Sequence, residues 1–132
     1  MALITRSDYG LVAVNNNVIK KLISLDMESM GELIHPCNRK GRLIRRGLLV
    51  GDPDLYNAIS VSETRSEINV EIYYVIKFGE SMNDISNQLF DMIEADFEKL
   101  RLPKPKMIKA NIKGLMTKQV VPKDIEVVRE ND

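Results

Sequence analysis

The stretch from residue 68 to residue 86, INVEIYYVIKFGESMNDIS, constrains the fold more than any other part of the sequence. In its first part, apolar residues occupy every second position: Ile68, Val70, Ile72, Tyr74, Ile76 and Phe78. This alternation is typical of a strand with one buried face, because successive side chains point to opposite sides of a sheet. Tyr73 and Val75 fall on the other parity. The pattern therefore predicts a long strand whose second face also carries some apolar surface.

The second part of this stretch predicts the start of a helix. Ser81 is followed three residues later by Asp84, as in a capping box. An apolar stripe then recurs at steps of four and three residues: Ile85, Leu89, Ile93, Phe97 and Leu100. We expect a helix from about residue 82 to residue 100, ended by the two prolines that follow it.

The turn Gly79-Glu80-Ser81 between strand and helix has two interpretations. It could approach a phosphate or present a serine nucleophile. A phosphate-binding loop, however, has several glycines at fixed spacing, and Glu80 would repel an anion. The single glycine favours a corner in which Ser81 caps the helix.

The rest of the chain yields weaker patterns. Residues 9–15 predict a strand and residues 17–30 an amphipathic helix that stops at Gly31, while residues 59–63 predict a second strand. Near the end, one parity of a further strand is apolar: Ile108, Ala110, Ile112 and Met116. The segment from Pro122 to the end is polar and is expected to fray.

These elements predict an α+β fold in one domain spanning residues 1–121, followed by a polar tail over residues 122–132. The order is β-α-β-β-α-β, with a mostly antiparallel sheet of about four strands and both helices on one face, a two-layer sandwich. Residues 31–57 are expected to form an irregular basic insertion. Within it, Leu43-Ile44 and Leu48-Val50 flank Arg45-Arg46-Gly47, which could make a small hairpin.

Composition excludes several function classes. The 132 residues include 19 basic and 19 acidic side chains, so no net field attracts the protein to nucleic acid or anionic lipid. With His35 and Cys37 as the only histidine and cysteine, a catalytic triad, a disulfide and a zinc site all lack residues. We therefore expect no enzyme, no cofactor and no metal. No signal peptide and no run of ~20 apolar residues is present, which predicts a cytoplasmic location.

Two surfaces are candidate contact sites. The first is a cluster of cations without an acidic residue: Arg39, Lys40, Arg42, Arg45 and Arg46. It could meet a polyanion, it could be a solvated loop, or it could pair with the acidic helix residues Asp91, Glu94 and Glu98. The second is the open face of the sheet, represented by Tyr73, Val75 and Lys77. No aromatic residue lies within the basic cluster, which weakens the case for stacking on single-stranded bases.

The chain resembles the alkaline shock protein family, the envelope stress proteins of the glucose-starvation type. The resemblance is carried by YGLVAVNNNVIKKLI, VEIYYVIKFG, SMNDISNQLFDMIEADFEKL and MIKANIKG, and covers Tyr9 to Met30 and Ile59 to Met116. It implies a non-enzymatic bacterial scaffold of cell-envelope homeostasis that acts through protein–protein contacts. It also implies that the chain self-associates and that it binds a partner anchored in the membrane. The chain would then lie at the inner face of that membrane. A small nucleic-acid-binding module that uses residues 39–46 is the alternative.

Overall fold

A computed structural model describes residues 2–7, 10–44, 53–65 and 67–131, and its architecture is α+β. The two helices are α1 (Asn16–Ser29) and α2 (Met82–Lys99). The strands are β1 (Ala2–Ser7), β2 (Gly10–Asn15), β3 (Ile34–Pro36), β4 (Ile59–Thr64), β5 (Glu67–Lys77), β6 (Met107–Met116) and β7 (Val120–Glu130). The predicted fold class is confirmed, but the order contains three strands, β1, β3 and β7, that the sequence patterns did not indicate.

The main sheet has five strands built around β5. β6 pairs with one edge of β5 in parallel, and β3 and β4 pair with its other edge in antiparallel orientation, one after the other. β7 extends the sheet beyond β6 in antiparallel orientation. The single parallel pair arises because α2 carries the chain back across the sheet between β5 and β6. β1 and β2 form a separate two-stranded hairpin that leads into α1.

Both helices lie on the same face of the main sheet, as predicted. The alternating apolar residues of β5 from Ile68 to Ile76 form one core with the apolar stripes of the helices. The helical members are Ile19, Ile23 and Met27 of α1 and Ile85, Leu89, Ile93 and Phe97 of α2. Burial of this apolar surface is the main force that holds the two layers together. The opposite side of the sheet is called the open face below.

A β-bulge in β6 changes the predicted parity of that strand. Tyr74 of β5 lies opposite Ile112, but Val75 lies opposite Gly114, so Lys113 is an extra residue on β6. Beyond the bulge, Leu115 packs against the core whereas Met116 packs on the open face. The prediction that Met116 shares a face with Ile112 was therefore wrong, because one inserted residue inverts the alternation that follows it.

The segment predicted as a frayed polar tail is mostly a strand. β7 pairs with β6 from Glu130 opposite Met107 to Val120 opposite Met116. Its side chains are largely exposed, in keeping with the polar composition, but its backbone is hydrogen-bonded along the sheet. Ile125 and Val127 pack against the core from this strand.

The described parts of the predicted irregular insertion are ordered in short pieces. A 3-10 turn (Gly31–Leu33) leads into β3, and a second 3-10 helix (Pro53–Ala58) leads into β4. Cys37 and Leu43 form an isolated antiparallel bridge. The hairpin predicted around Arg45-Arg46-Gly47 lies outside the described residues. Among the described helices, none is long and apolar enough to cross a membrane.

Candidate functional site

A tight turn presents the first part of the predicted basic cluster. In this basic turn, residues 38–42, the side-chain oxygen of Asn38 accepts hydrogen bonds from the backbone N–H groups of Lys40 (2.9 Å) and Arg42 (3.0 Å). The backbone N–H of Asn38 donates to the carbonyl of Arg42 at 2.9 Å. Gly41 has φ +85°, a value that glycine adopts without steric cost. Asparagine and glycine at these positions therefore fix a turn that displays the cations between them.

The basic turn lies against the open face of the sheet. The backbone N–H of Cys37 donates to the carbonyl of Tyr73 at 3.1 Å, which continues the edge pairing begun by β3. The guanidinium carbon of Arg39 lies 6.0 Å from the centre of the Tyr73 ring. On the other side, Gly41 packs against the side chain of Lys113, leaving room for no more than a methyl group. The turn is thus held by the sheet beneath it.

Tyr73 lies beneath the turn and is largely covered. Only 7% of the residue is exposed, and its hydroxyl donates to Glu71 at 2.7 Å. Burial is the main cause that raises the pKa of Tyr73, and the hydrogen bond and charge of Glu71 add to it, while Arg39 opposes the shift. The ring therefore supports Arg39 instead of forming a free aromatic platform.

The other two predicted open-face residues differ from each other. Val75 is fully buried in a small apolar cluster with Cys37 and Tyr73, against which Met116 and Val120 pack. Its prediction as an accessible contact residue was wrong, because the turn and the β6–β7 end of the sheet cover it. Lys77, at the end of β5, is exposed as predicted.

Within the described part of the chain, the cations of the basic turn have no acidic partner. Arg39, Lys40 and Arg42 are exposed, and no carboxylate of the described residues forms an ion pair with any of them. The lysines of β6 differ in this respect, since Lys113 pairs with Asp124 at 3.0 Å and Lys109 with Glu126 at 3.9 Å. Arg45 and Arg46 lie outside the described residues. The turn therefore keeps its charge available for a partner.

A shallow groove of about 470 Å³ runs beside the turn. It is lined by Asn38, Arg39, Lys40, Arg42, Ile44 and Asn57. The described lining combines three cations, two side-chain amides and one aliphatic residue, with no acid among these residues. Leu43, next to the groove, is 45% exposed. Such a lining suits an acidic segment that also brings an apolar side chain.

The other sequence candidates have structural roles. Ser81 caps α2, since its hydroxyl accepts from the backbone N–H of Asp84 at 3.2 Å, and Gly79 has φ +90°. Cys37 is buried, and burial raises the pKa of its thiol to about 12, so the reactive thiolate does not form near neutral pH. Among the described residues, no three metal-ligating side chains come together.

Residues of the acidic helix face meet a cation from β7. Arg129 donates from one nitrogen to Asp91 (2.8 Å) and Glu94 (3.1 Å). Its second terminal nitrogen donates to Asn87 at 2.8 Å. Asp91, Glu94 and Glu98 line a second groove, of about 630 Å³. Among the described residues, the cation that pairs with this helix face is Arg129 and not Arg39, Lys40 or Arg42, while Arg45 and Arg46 lie outside the described residues.

Sequence reasoning also missed a buried pair of carboxyl groups, Asp26 of α1 and Asp96 of α2. Asp96 is only 6% exposed, and one carboxylate oxygen of each residue is buried without a hydrogen-bond partner. The spacing of residues could have indicated this pair, because each aspartate lies three residues after a buried isoleucine, Asp26 after Ile23 and Asp96 after Ile93. That interval places it on the apolar side of its helix.

Comparison with known protein families, curated proteins and solved structures yields no match to this chain.

Proposed function

We propose that this chain is a non-enzymatic scaffold protein of the envelope-stress type, which binds a protein partner through the basic turn and the groove beside it. The observation that supports the proposal is the ordered turn over the open face, where Arg39, Lys40 and Arg42 are exposed and form no ion pair with a carboxylate of the described residues. Because the turn is ordered before binding, a partner meets preformed charges and little ordering entropy is lost.

A short acidic segment of a protein fits this surface better than a nucleic acid does. Tyr73 is covered by Arg39 and cannot stack on a base. The open face next to the turn also carries Glu71 and Glu126, and the two lysines of β6, Lys109 and Lys113, are already paired with Glu126 and Asp124, so neither is free to neutralise a phosphate backbone tracking across the sheet. A peptide of a few residues can occupy the groove without crossing these acids, and Ile44 provides an apolar contact.

Nucleic-acid binding is the second candidate. It is favoured by one observation, the absence of acidic side chains from the described lining of the groove. Three phosphate contacts would give a salt dependence steep enough to detect. Affinity should then fall roughly 20- to 40-fold between about 50 and about 200 mM salt.

The decisive experiment places a photo-crosslinking amino acid at Leu43 in cells and identifies the crosslinked protein by mass spectrometry. We expect one partner with an acidic segment, and expect Arg39→Glu combined with Arg42→Glu to abolish the crosslink. The matched control reverses two exposed lysines at the β6–β7 end, Lys118→Glu with Lys123→Glu, and should keep the crosslink. Thermal denaturation checks that both variants fold.

The same variants separate the two candidates. Fluorescence anisotropy with labelled RNA and duplex DNA, at the two salt concentrations, measures nucleic-acid binding. Salt-dependent binding that the Arg39→Glu, Arg42→Glu variant loses would replace the scaffold proposal with the second candidate. A crosslink that survives this double change would exclude the basic turn as the contact site.

The cellular setting of the proposal rests on the family resemblance. We infer a place at the inner face of the membrane, held there by an anchored partner, together with self-association of the chain. Fractionation of cells that lack the crosslinked partner should release the chain from the membrane fraction. Sedimentation velocity of the purified protein measures self-association, and a strictly monomeric state would remove that part of the proposal.

A further inference from the structure

Two aspartates face each other where the helices of the core pack together. Asp26 lies on α1 one residue before buried Met27, and Asp96 lies on α2 one residue before buried Phe97. The charge of Asp96 acts on Asp26 across this interface, and a hydrogen bond between the two carboxyl groups would require one of them to be protonated. With both groups ionised, neither could donate that bond, and one buried oxygen of each has no other partner. The arrangement is satisfied when a proton lies between them.

Few charged groups act on this pair. Burial is the largest cause that raises the pKa of Asp26, to about 8, followed by the hydrogen bond to Asp96 and the charge of Asp96. Lys99, one turn further along α2, acts in the opposite direction. The charged groups on the other described elements packed against α1, Asp54 and Glu63, are not among those that shift it. Two negative charges buried in one interface repel each other, so the pair is more stable when one proton is bound.

We propose that Asp26 and Asp96 form a proton-sharing latch that holds α1 against α2 and releases in mildly alkaline solution. Release leaves two negative charges between apolar surfaces, which disfavours the packed arrangement. Because β2 runs directly into α1, loosening this helix would also loosen the hairpin β1–β2. The latch shares no residue with the proposed partner surface.

The sign of the pH dependence follows from the raised pKa of Asp26. In the unfolded chain its carboxyl group ionises at the ordinary value of 3.8, whereas in the folded protein it keeps the proton to about pH 8. The stabilisation is therefore complete below pH 3.8, declines as the pH rises, and is lost above about pH 8. An isosteric amide at either position would keep the hydrogen bond but could not lose a proton.

The experiment compares thermal denaturation of the wild type with Asp26→Asn and Asp96→Asn variants from pH 5 to pH 9.5. We expect the midpoint of the wild type to fall by about 5 °C or more between pH 6 and pH 9. The denaturation midpoint of either amide variant should fall by clearly less, so that the variant becomes more stable than the wild type at alkaline pH. Asp84→Asn, at an exposed aspartate in the first turn of α2, is the matched control and should keep the wild-type slope.

A second measurement needs no variant. In wild-type protein labelled with ¹³C at the aspartate carboxyl carbons, NMR should reveal one carboxyl that titrates above pH 7. The protection factors of the α1 amides against hydrogen exchange, which are corrected for the intrinsic base-catalysed rate, should fall over the same pH range, and those of β5 should not change. If every aspartate titrates below pH 5, or if the amide variants retain the wild-type slope, the latch does not exist.

Discussion

One glycine sets how closely β6 and β7 approach each other at the bulge. A Cβ atom at Gly114 would lie 2.7 Å from Cγ1 of Val120 and 3.0 Å from the carbonyl oxygen of Val121. The first contact is closer than real Cβ atoms tolerate, and the second involves backbone that cannot rotate away. The requirement here is space rather than an unusual backbone angle.

Gly114→Ala is expected to lower the free energy of unfolding by about 1–3 kcal/mol, because the added methyl group must push β7 away. Urea denaturation followed by circular dichroism measures the change. A double variant, Gly114→Ala with Val120→Ala, shortens the Val120 side chain and so removes the closer contact, but it keeps the contact with the Val121 carbonyl. This double variant should recover part of the loss beyond the effect of Val120→Ala alone. An unchanged denaturation midpoint for Gly114→Ala would show that β7 approaches less closely than described.

Also at the residue scale, a buried hydroxyl pair crosses from β5 to α2. Tyr74 and Ser86 share a hydrogen bond within the core, and burial raises the pKa of Tyr74 to about 12. Burial outweighs the hydrogen bond, which acts in the opposite direction. The tyrosine therefore remains a neutral core residue that spans the strand and the helix on either side of the Gly79 turn.

At the scale of elements, one side chain connects β7 to the helix layer. Besides its bonds to Asp91, Glu94 and Asn87, the guanidinium carbon of Arg129 lies 5.4 Å from the centre of the Phe90 ring. Asn131 continues the connection, with its amide donating to Glu94 at 2.7 Å. Such a network is worth more than an isolated surface pair because its members are partly buried and mutually oriented.

Arg129→Met should therefore destabilise the protein by about 1–2 kcal/mol, through loss of the shared hydrogen bonds and the ring contact. Lys113→Met is the matched control, since its pair with Asp124 is a surface pair in which the aspartate side chain is 80% exposed. We expect the control to change stability by less than about 0.5 kcal/mol. Urea denaturation at low and high salt measures both variants. Equal effects of the two substitutions would contradict the role given to Arg129.

At the scale of the whole molecule, β7 decides whether β6 is an edge of the sheet. β6 is a central strand because β5 and β7 flank it, and Ile125 and Val127 of β7 extend the core over it. Its apolar residues Ile108, Ala110 and Ile112 are all buried. Without β7, this strand would present unpaired backbone groups and apolar surface to water.

Truncation after residue 119 is therefore expected to abolish cooperative unfolding or to cause aggregation. If this segment were a frayed tail, its removal would have little effect. Near-ultraviolet circular dichroism and urea denaturation of the truncated chain measure the outcome. Removal of residue 132 alone is the control and should leave the midpoint unchanged. A truncated chain with the wild-type midpoint would restore the interpretation of this segment as a tail.

Local patterns were sufficient for β5, α2 and the two-layer architecture. The alternation from Ile68 to Ile76 and the stripe from Ile85 to Phe97 each bury one face, and Ser81 caps the helix as its spacing predicts. β7 was not predicted because Val120–Glu130 is largely polar and its apolar residues do not all fall on one face of a strand. Its strand conformation is instead stabilised by backbone pairing with β6, which involves residues distant in sequence.

By itself, the sequence determined the α+β class, the helix layer over β5 and the positions of the charged residues, because these follow from the spacing of apolar and polar side chains along the chain. Only the tertiary structure decided which charges are neutralised and which remain available. It pairs Arg129 with the acidic helix, brings Asp26 to Asp96, and lays Arg39 over Tyr73 without an ion pair to any described carboxylate. These outcomes depend on contacts between residues that are far apart in the sequence. The strength of an ion pair or a hydrogen bond depends on the distance between two groups in space, and that distance cannot be read from their spacing along the chain.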